Sequence, residues 1–345
     1  LFIFIHTRVW VAQLLSNAAR VEIVKPAVQS YSILGADCVT RSFDATRALF
    51  FLQQAAAFDP SNRNEFWRGT LNWLKGNCDA ALGDWQTAIT ANTRERVGAS
   101  IALGWAFYQL GDRSRTVAVF KQAGLGTYLY RIAYWMQGTS NQSLAVELYE
   151  LAVEVAPTYQ ALTRLGELYV GQGLNTQARA LWRRVLDSAS PAQTWYWLAV
   201  AEIALLDQKW NVAAEAYGRA LAQQDHSAQE AFDLLLRQGR ALEKANRDEN
   251  AITAYEQAIQ IAPRSSSAPY TSIALIRHRQ GDRSAAFKWL ARAMDLFPGD
   301  PWPPIHTGNL AAQLGDKATA KYYYDLALRI SPGHQGAIWA LESLK

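Results

Sequence analysis

The sequence predicts an all-α protein, a solenoid of about nine helix-turn-helix units followed by a C-terminal cap helix. Three observations predict it. The same residue classes recur at the same offsets: a small residue, Ala twelve later, an aromatic or Leu four after that, and a second Ala three further on. Pro60, Pro157, Pro263, Pro298 and Pro332 each fall five residues after the closing Ala of their unit, where a proline stops the preceding helix. No stretch alternates apolar and polar residues as a half-buried strand does.

The first element, residues 1–28, is an apolar N-terminal segment. It starts at Leu1 without an initiator Met, which reads as a processed start or the remainder of a longer product. Leu1 to Ile5 is wholly apolar, then His6, Thr7 and Arg8 interrupt before Val9, Trp10, Val11, Leu14 and Leu15 resume. That run is shorter than the roughly 18 to 20 apolar residues a membrane span needs. Two readings stay open: the outer end of a transmembrane helix with Arg8 and Trp10 at the headgroups, or an amphipathic arm that docks on protein.

Residues 29–334 form the repeat array. Its units read Ala36, Ala48, Leu52, Ala55; Gly69, Ala81, Trp85, Ala88; Gly104, Thr116, Phe120, Ala123; Ala133, Ala145, Tyr149, Ala152; and Gly166, Ala178, Trp182, Val185. The series continues with Ala201, Ala213, Tyr217, Ala220; Gly239, Ala251, Tyr255, Ala258; Ala274, Ala286, Leu290, Ala293; and Gly308, Ala320, Tyr324, Ala327. Offsets of three, four and seven place these residues on one face of a helix, and the small ones let two backbones approach closely. Turns between paired helices carry Gly-Asp at Gly111-Asp112, Gly281-Asp282 and Gly315-Asp316: Gly for the left-handed helix end, Asp for the next cap. One unit is shortened where Gly124 and Gly126 cut its second helix, and another is lengthened around Gln223 to Gln229. A lone pair cannot bury its apolar stripe, so units stack on their neighbours. Residues 335–345 read as the cap helix that an open end of such a stack requires.

Leu165-Gly166, Tyr169, Gly173, Ala178 and Trp182, and later Gly308, Gly315-Asp316, Ala320, Tyr324, Ala327 and Pro332, resemble the tetratricopeptide repeat family, whose unit is about 34 residues. The resemblance implies a right-handed superhelix whose first helices line a concave protein-binding groove. On that geometry the groove presents Phe66, Trp73, Trp105, Tyr108, Tyr130 and Tyr134 in its first half. Trp195, Arg240, Lys244, His278, Arg279 and Trp302 follow in the second, so the surface is expected to run from aromatic to mixed and basic. Aromatics anchor bound segments at small entropic cost. Several of these side chains are equally readable as packing between units, and Trp85, Trp182 and Trp210 are expected in the core. The family's Lys and Asn clamp for a chain carboxylate is not reproduced, since Ile305 precedes Asn309 and Thr163 precedes Glu167 at the corresponding places.

Composition narrows the function. Half of the 345 residues are hydrophobic and 19% charged, which excludes a disordered chain or a coiled coil. The net charge of +4 is spread evenly over both halves and implies no nucleic-acid face. Two cysteines, Cys38 and Cys78, are too few for a thiolate zinc site; they are read either as a disulfide, which needs an oxidising compartment, or as two small buried side chains. The five histidines form no metal-binding pair. Gly171-Gln172-Gly173 and Gly124-Leu125-Gly126 follow no strand and read as turns rather than phosphate loops. Glu147, Glu150 and Glu154 sit at the spacing of a solvated helix face, and Asn141-Gln142-Ser143 is a chance glycosylation match. The expectation is a non-enzymatic scaffold without cofactor, binding protein partners or copies of itself near a membrane or surface. The alternatives are a head-to-tail filament subunit that uses its N-terminal segment, and an accessory module of a glycosyltransferase or export system.

Overall fold

The computed structural model describes residues 53–54, 64–91, 95–138, 142–223 and 226–344. The N-terminal segment, the unit formed by Ala36, Ala48, Leu52 and Ala55, Cys38 and Pro60 lie outside the described residues. These form α-helices joined by turns, with no strand among them. Two compact units divide the chain, one up to Ala161 and one from Leu162.

The first unit contains α1 (Glu65–Leu74), α2 (Cys78–Thr90), α3 (Arg96–Gln109), α4 (Arg113–Gln122), α5 (Gly126–Gln137) and α6 (Gln142–Val155). Helix α7 (Tyr159–Gly171) leads into the second, which continues with α8 (Asn175–Ser188), α9 (Thr194–Leu206), α10 (Trp210–Leu221), α11 (Ala228–Lys244) and α12 (Asp248–Ile261). It ends with α13 (Ala268–Arg279), α14 (Arg283–Leu296), α15 (Trp302–Gln313), α16 (Lys317–Ile330) and α17 (Gln335–Glu342). Helices pack in sequence-adjacent pairs, such as α1 on α2 and α11 on α12, and within a unit neighbouring pairs pack on one another, as α2 does on α3 and α10 on α11.

The repeated residues are the seam of each pair. The small residue of the first helix faces the aromatic sixteen positions on, so closely that an added Cβ at Gly104 would stand 2.4 Å from the Phe120 ring and one at Gly166 2.5 Å from Trp182. Trp85, Trp182, Tyr217 and Tyr255 are buried as a result. Trp210 is only half-buried, contrary to expectation, because it opens α10 and lies at the end of the seam rather than within it.

The punctuation follows the sequence. Gly281 and Gly315 take φ of 86° and 81°, and Asp112, Asp282 and Asp316 accept from the backbone N–H three residues on, at 2.9, 2.9 and 3.0 Å. Four helices end two residues before Pro157, Pro263, Pro298 and Pro332. The shortened unit has a ten-residue α4 ended at Gly124, and the lengthened one a seventeen-residue α11 opened by a Ser227–Glu230 capping box.

Candidate protein-binding cleft

In the second unit three first helices, α7, α9 and α11, wall a cavity of about 540 Å³. The repeat register explains why. Residues six before, three before and one after the small residue fall on one helical face. Thr163 and Glu167 flank Gly166 in this way, Trp195, Leu198 and Glu202 flank Ala201, and Asp233, Leu236 and Arg240 flank Gly239. Successive repeats thus bring residues about 35 positions apart onto a shared surface.

The floor of the cleft is an ion cluster. Arg237 Nη1 donates to Glu167 Oε1 at 2.8 Å and to Glu202 Oε1 at 2.9 Å. Arg164 Nη1 donates to Glu167 Oε2 at 2.8 Å, and Tyr217 Oη donates to Glu202 Oε1 at 2.7 Å. Burial pushes the Glu202 carboxyl above the ordinary value against the pull of the Arg237 guanidinium. Burial likewise raises Tyr217, with the Glu202 charge adding to it. Arg237 would be lowered by its burial, but the two carboxylates outweigh that and hold it above its usual value.

Of the sequence-predicted groove residues, the structure brings Trp195 and Arg240 into this cleft. Lys244 is exposed at the end of α11. Arg279 is exposed but paired with Glu243 at 2.8 Å and Asp248 at 3.0 Å, so the expected basic stretch is largely compensated. His278 bonds Gln313 at 2.8 Å, and Trp302 stacks on His306.

In the first unit two expectations are corrected. Trp73 and Trp105 are each only 4% exposed and serve the interior: Trp73 packs on Trp85, and Trp105 donates to Tyr128 Oη at 3.1 Å with its edge on Phe120. The wide indole in a helix-helix seam is covered from both sides, leaving no face for a ligand. Phe66, Tyr108 and Tyr130 are half-buried, whereas Tyr134 is 57% exposed and stacks on Tyr130. Sequence reasoning missed Trp135, 70% exposed, and Arg237, which stands two before its small residue where no repeat position marks it.

The acidic row on α6 proves structural, since Glu150 and Glu154 hold Arg113 of α4 at 3.8 and 2.7 Å. Among the described residues no three His, Cys, Asp or Glu side chains gather as a metal site. No helix among them is long and apolar enough to cross a membrane.

Residues 163–205 and 201–266, the helices that wall the cleft, match the tetratricopeptide repeat family. Residues 163–266 are tetratricopeptide repeats. Solved tetratricopeptide structures align with the chain over most of their own length. The type IV pilus biogenesis factor PilW is 14% identical, covers 63% of this chain and 98% of its own, and superposes with a TM-score of 0.53. PilF of Pseudomonas aeruginosa is 14% identical over 64% and 97%, with a TM-score of 0.47. YrrB, described as having an unusual peptide-binding site, is 17% identical over 57% and 99%, with a TM-score of 0.39. At 14% identity the likeness to PilW shows the fold alone. No protein of curated function matches the chain by sequence.

Proposed function

We propose that this protein is a non-catalytic scaffold that holds a segment of a partner protein in the cleft walled by α7, α9 and α11, as part of a membrane-associated assembly. The cleft itself carries the reading: a cavity of about 540 Å³ on the repeat face that a solenoid leaves unfilled, with Trp195 and Leu198 on one wall and fixed charges on its floor. Membrane association rests on the apolar sequence of residues 1–28 with Arg8 and Trp10. Affinity capture with the full chain and with a Trp195→Ala, Arg240→Ala variant tests the site. Proteins retained by the first and lost by the second support it, and identical sets refute it.

A second reading is favoured by two features of one chain, the exposed Tyr134 and Trp135 and an N-terminal segment of apolar sequence. Here the apolar segment from Leu1 to about Ala19 of one copy docks on the next, a head-to-tail contact that need not close and so grows a filament. Light scattering of the full chain against one starting at Val28 separates the two. Large regular particles from the full chain alone favour the filament, and a detergent-soluble monomer favours the tether.

A further inference from the structure

On the far side of α11 from the cleft lies a second cavity of about 500 Å³, between the second helices α10 and α12. Helical spacing keeps the two apart, since Gln238 and Leu242 stand about half a turn round from Asp233, Leu236 and Arg240. Its volume is that of a small-ligand site.

Two departures from the repeat shape this cavity. The residue before the small one is Leu103, Leu165 or Ile273 in other interior units, each buried; here it is Gln238, half-buried. Gly218 of α10 gives that side chain its room, because a Cβ there would stand 2.9 Å from Gln238 Nε2, and the corresponding residues elsewhere are Glu150, Arg183 and Glu256. A glycine inside a helix lowers stability, and so does a carboxamide at an apolar register, so packing explains neither.

Gln238 is held in place and left open. Its Nε2 donates to the Ala214 carbonyl at 3.2 Å, while Oε1 accepts nothing from the described residues and is not among their sealed polar atoms. Asn211, Asn250 and Gln257 add three exposed carboxamides that bond nothing among the described residues. Glu215 is taken by Arg219 at 2.7 Å, whereas the exposed Arg247 has no acid partner among them.

That inventory selects a ligand chemistry. A carboxamide presents a donor and an acceptor side by side, which suits groups that do both, and hydroxyls are such groups. A sugar ring would set its hydroxyls on the carboxamides and its C–H face on Ala214 and Leu242. A protein segment is disfavoured, because the cavity offers no aromatic or deep apolar pocket for an anchoring side chain. The uncommitted guanidinium of Arg247 calls for an acid group on the ligand.

We propose that this outer cavity binds a short acidic saccharide, with Gln238, Asn250 and Gln257 on its hydroxyls and Arg247 on its acid group. The assignment does not depend on the cleft reading.

The full chain is applied to an array of hexuronate and hexose oligosaccharides, and the strongest hexuronate is titrated by calorimetry beside its methyl ester and beside tetraglutamate. The hexuronate is expected to bind, its ester about tenfold more weakly, and tetraglutamate not measurably. Arg247→Ala is expected to abolish the difference between acid and ester. Asn250→Ala with Gln257→Ala, both exposed and so harmless to folding, is expected to weaken acid and ester alike by about tenfold. Gln238→Leu is expected to do the same while the melting temperature holds or rises, because Leu restores the apolar register. The Trp195→Ala, Arg240→Ala variant is expected to bind unchanged. No binding on the array, tetraglutamate binding as tightly as the hexuronate, or full affinity in both carboxamide variants overturns the proposal and leaves the scaffold standing. Loss of saccharide binding in the Trp195→Ala, Arg240→Ala variant also overturns it, by moving the ligand to the cleft.

Discussion

Replacing Arg237 with Met removes the cation that Glu167 and Glu202 share. Glu167 keeps Arg164, but Glu202 is left with the Tyr217 hydroxyl alone. The Glu202 side chain is 10% exposed and Arg237 32%, so the group stranded is the more buried member of the pair. Removing one partner of a buried pair costs about 3–5 kcal/mol, and the lower end applies because the arginine side opens on the cleft. The loss depends on pH, and its sign follows from Glu202. Burial holds its folded pKa above the ordinary value, and taking away the guanidinium raises it further. A raised folded pKa means stability that is present below the unfolded pKa and lost as pH rises through the folded one. The variant is therefore weakened at neutral pH and regains ground in acid, as Glu202 takes up its proton. Urea midpoints followed by helical circular dichroism, on both chains at about pH 7.5 and about pH 4.5, measure this. The gap is expected to shrink at the lower pH, and Glu202→Gln added to the variant is expected to close most of it at neutral pH. A gap equal at both pH values, or untouched by Glu202→Gln, refutes the stranded-charge argument and leaves lost packing as the cause.

Gly166→Ala is expected to lower the melting temperature although Ala is the better helix former by about 1 kcal/mol, because the new Cβ meets Trp182 at 2.5 Å and overpacking costs about 1–3 kcal/mol. Gly171→Ala in the same helix, with nothing within 4 Å, is expected to raise it, and the opposite ranking refutes the seam. Gln208 and Asn246 hold φ of 56° and 58° where other units place Gly, so Gln208→Gly is expected to gain about 1 kcal/mol and Asn246→Gly less, read from denaturant midpoints. Cys78 is not a free thiol, and the other cysteine of the sequence is Cys38, so a Cys38–Cys78 disulfide is the expected pairing. Alkylation without reductant, followed by mass spectrometry, should leave both unlabelled, and labelling refutes the pairing.

The seam of the fold was legible because close packing between two helices tolerates few residues. A Gly opposite Trp182 and a Phe opposite Gly104 leave no alternative, and the Gly-Asp turns and trailing prolines mark helix ends by backbone geometry alone. The surface was less legible for the converse reason. Trp73, Trp105 and Tyr134 are all aromatics predicted on the groove face, yet the first two are buried and the third is exposed. Whether an aromatic on that face is covered depends on which side chains pack against it, as Trp85 does on Trp73 and Phe120 on Trp105, and the repeat pattern does not record that. Trp210 fails in the opposite direction, standing at a helix start beyond the end of the seam.

Arg237 shows where such information does lie. It contacts Glu202 thirty-five residues back and Glu167 seventy residues back, one and two repeats away, and both acids stand directly after the small residue of their unit. A repeat that returns the chain to the same register lets one side chain reach across two predecessors, so chemistry accumulates where units depart from the shared pattern rather than where they obey it. The residues common to all units build the seam. At the register position after the small residue, Glu167 and Arg240 line the cleft, and Glu202 lies behind it, bonded to the lining Arg237. Partner choice in this protein should therefore follow exchanges among these three positions and Arg237, with the helices themselves unaltered.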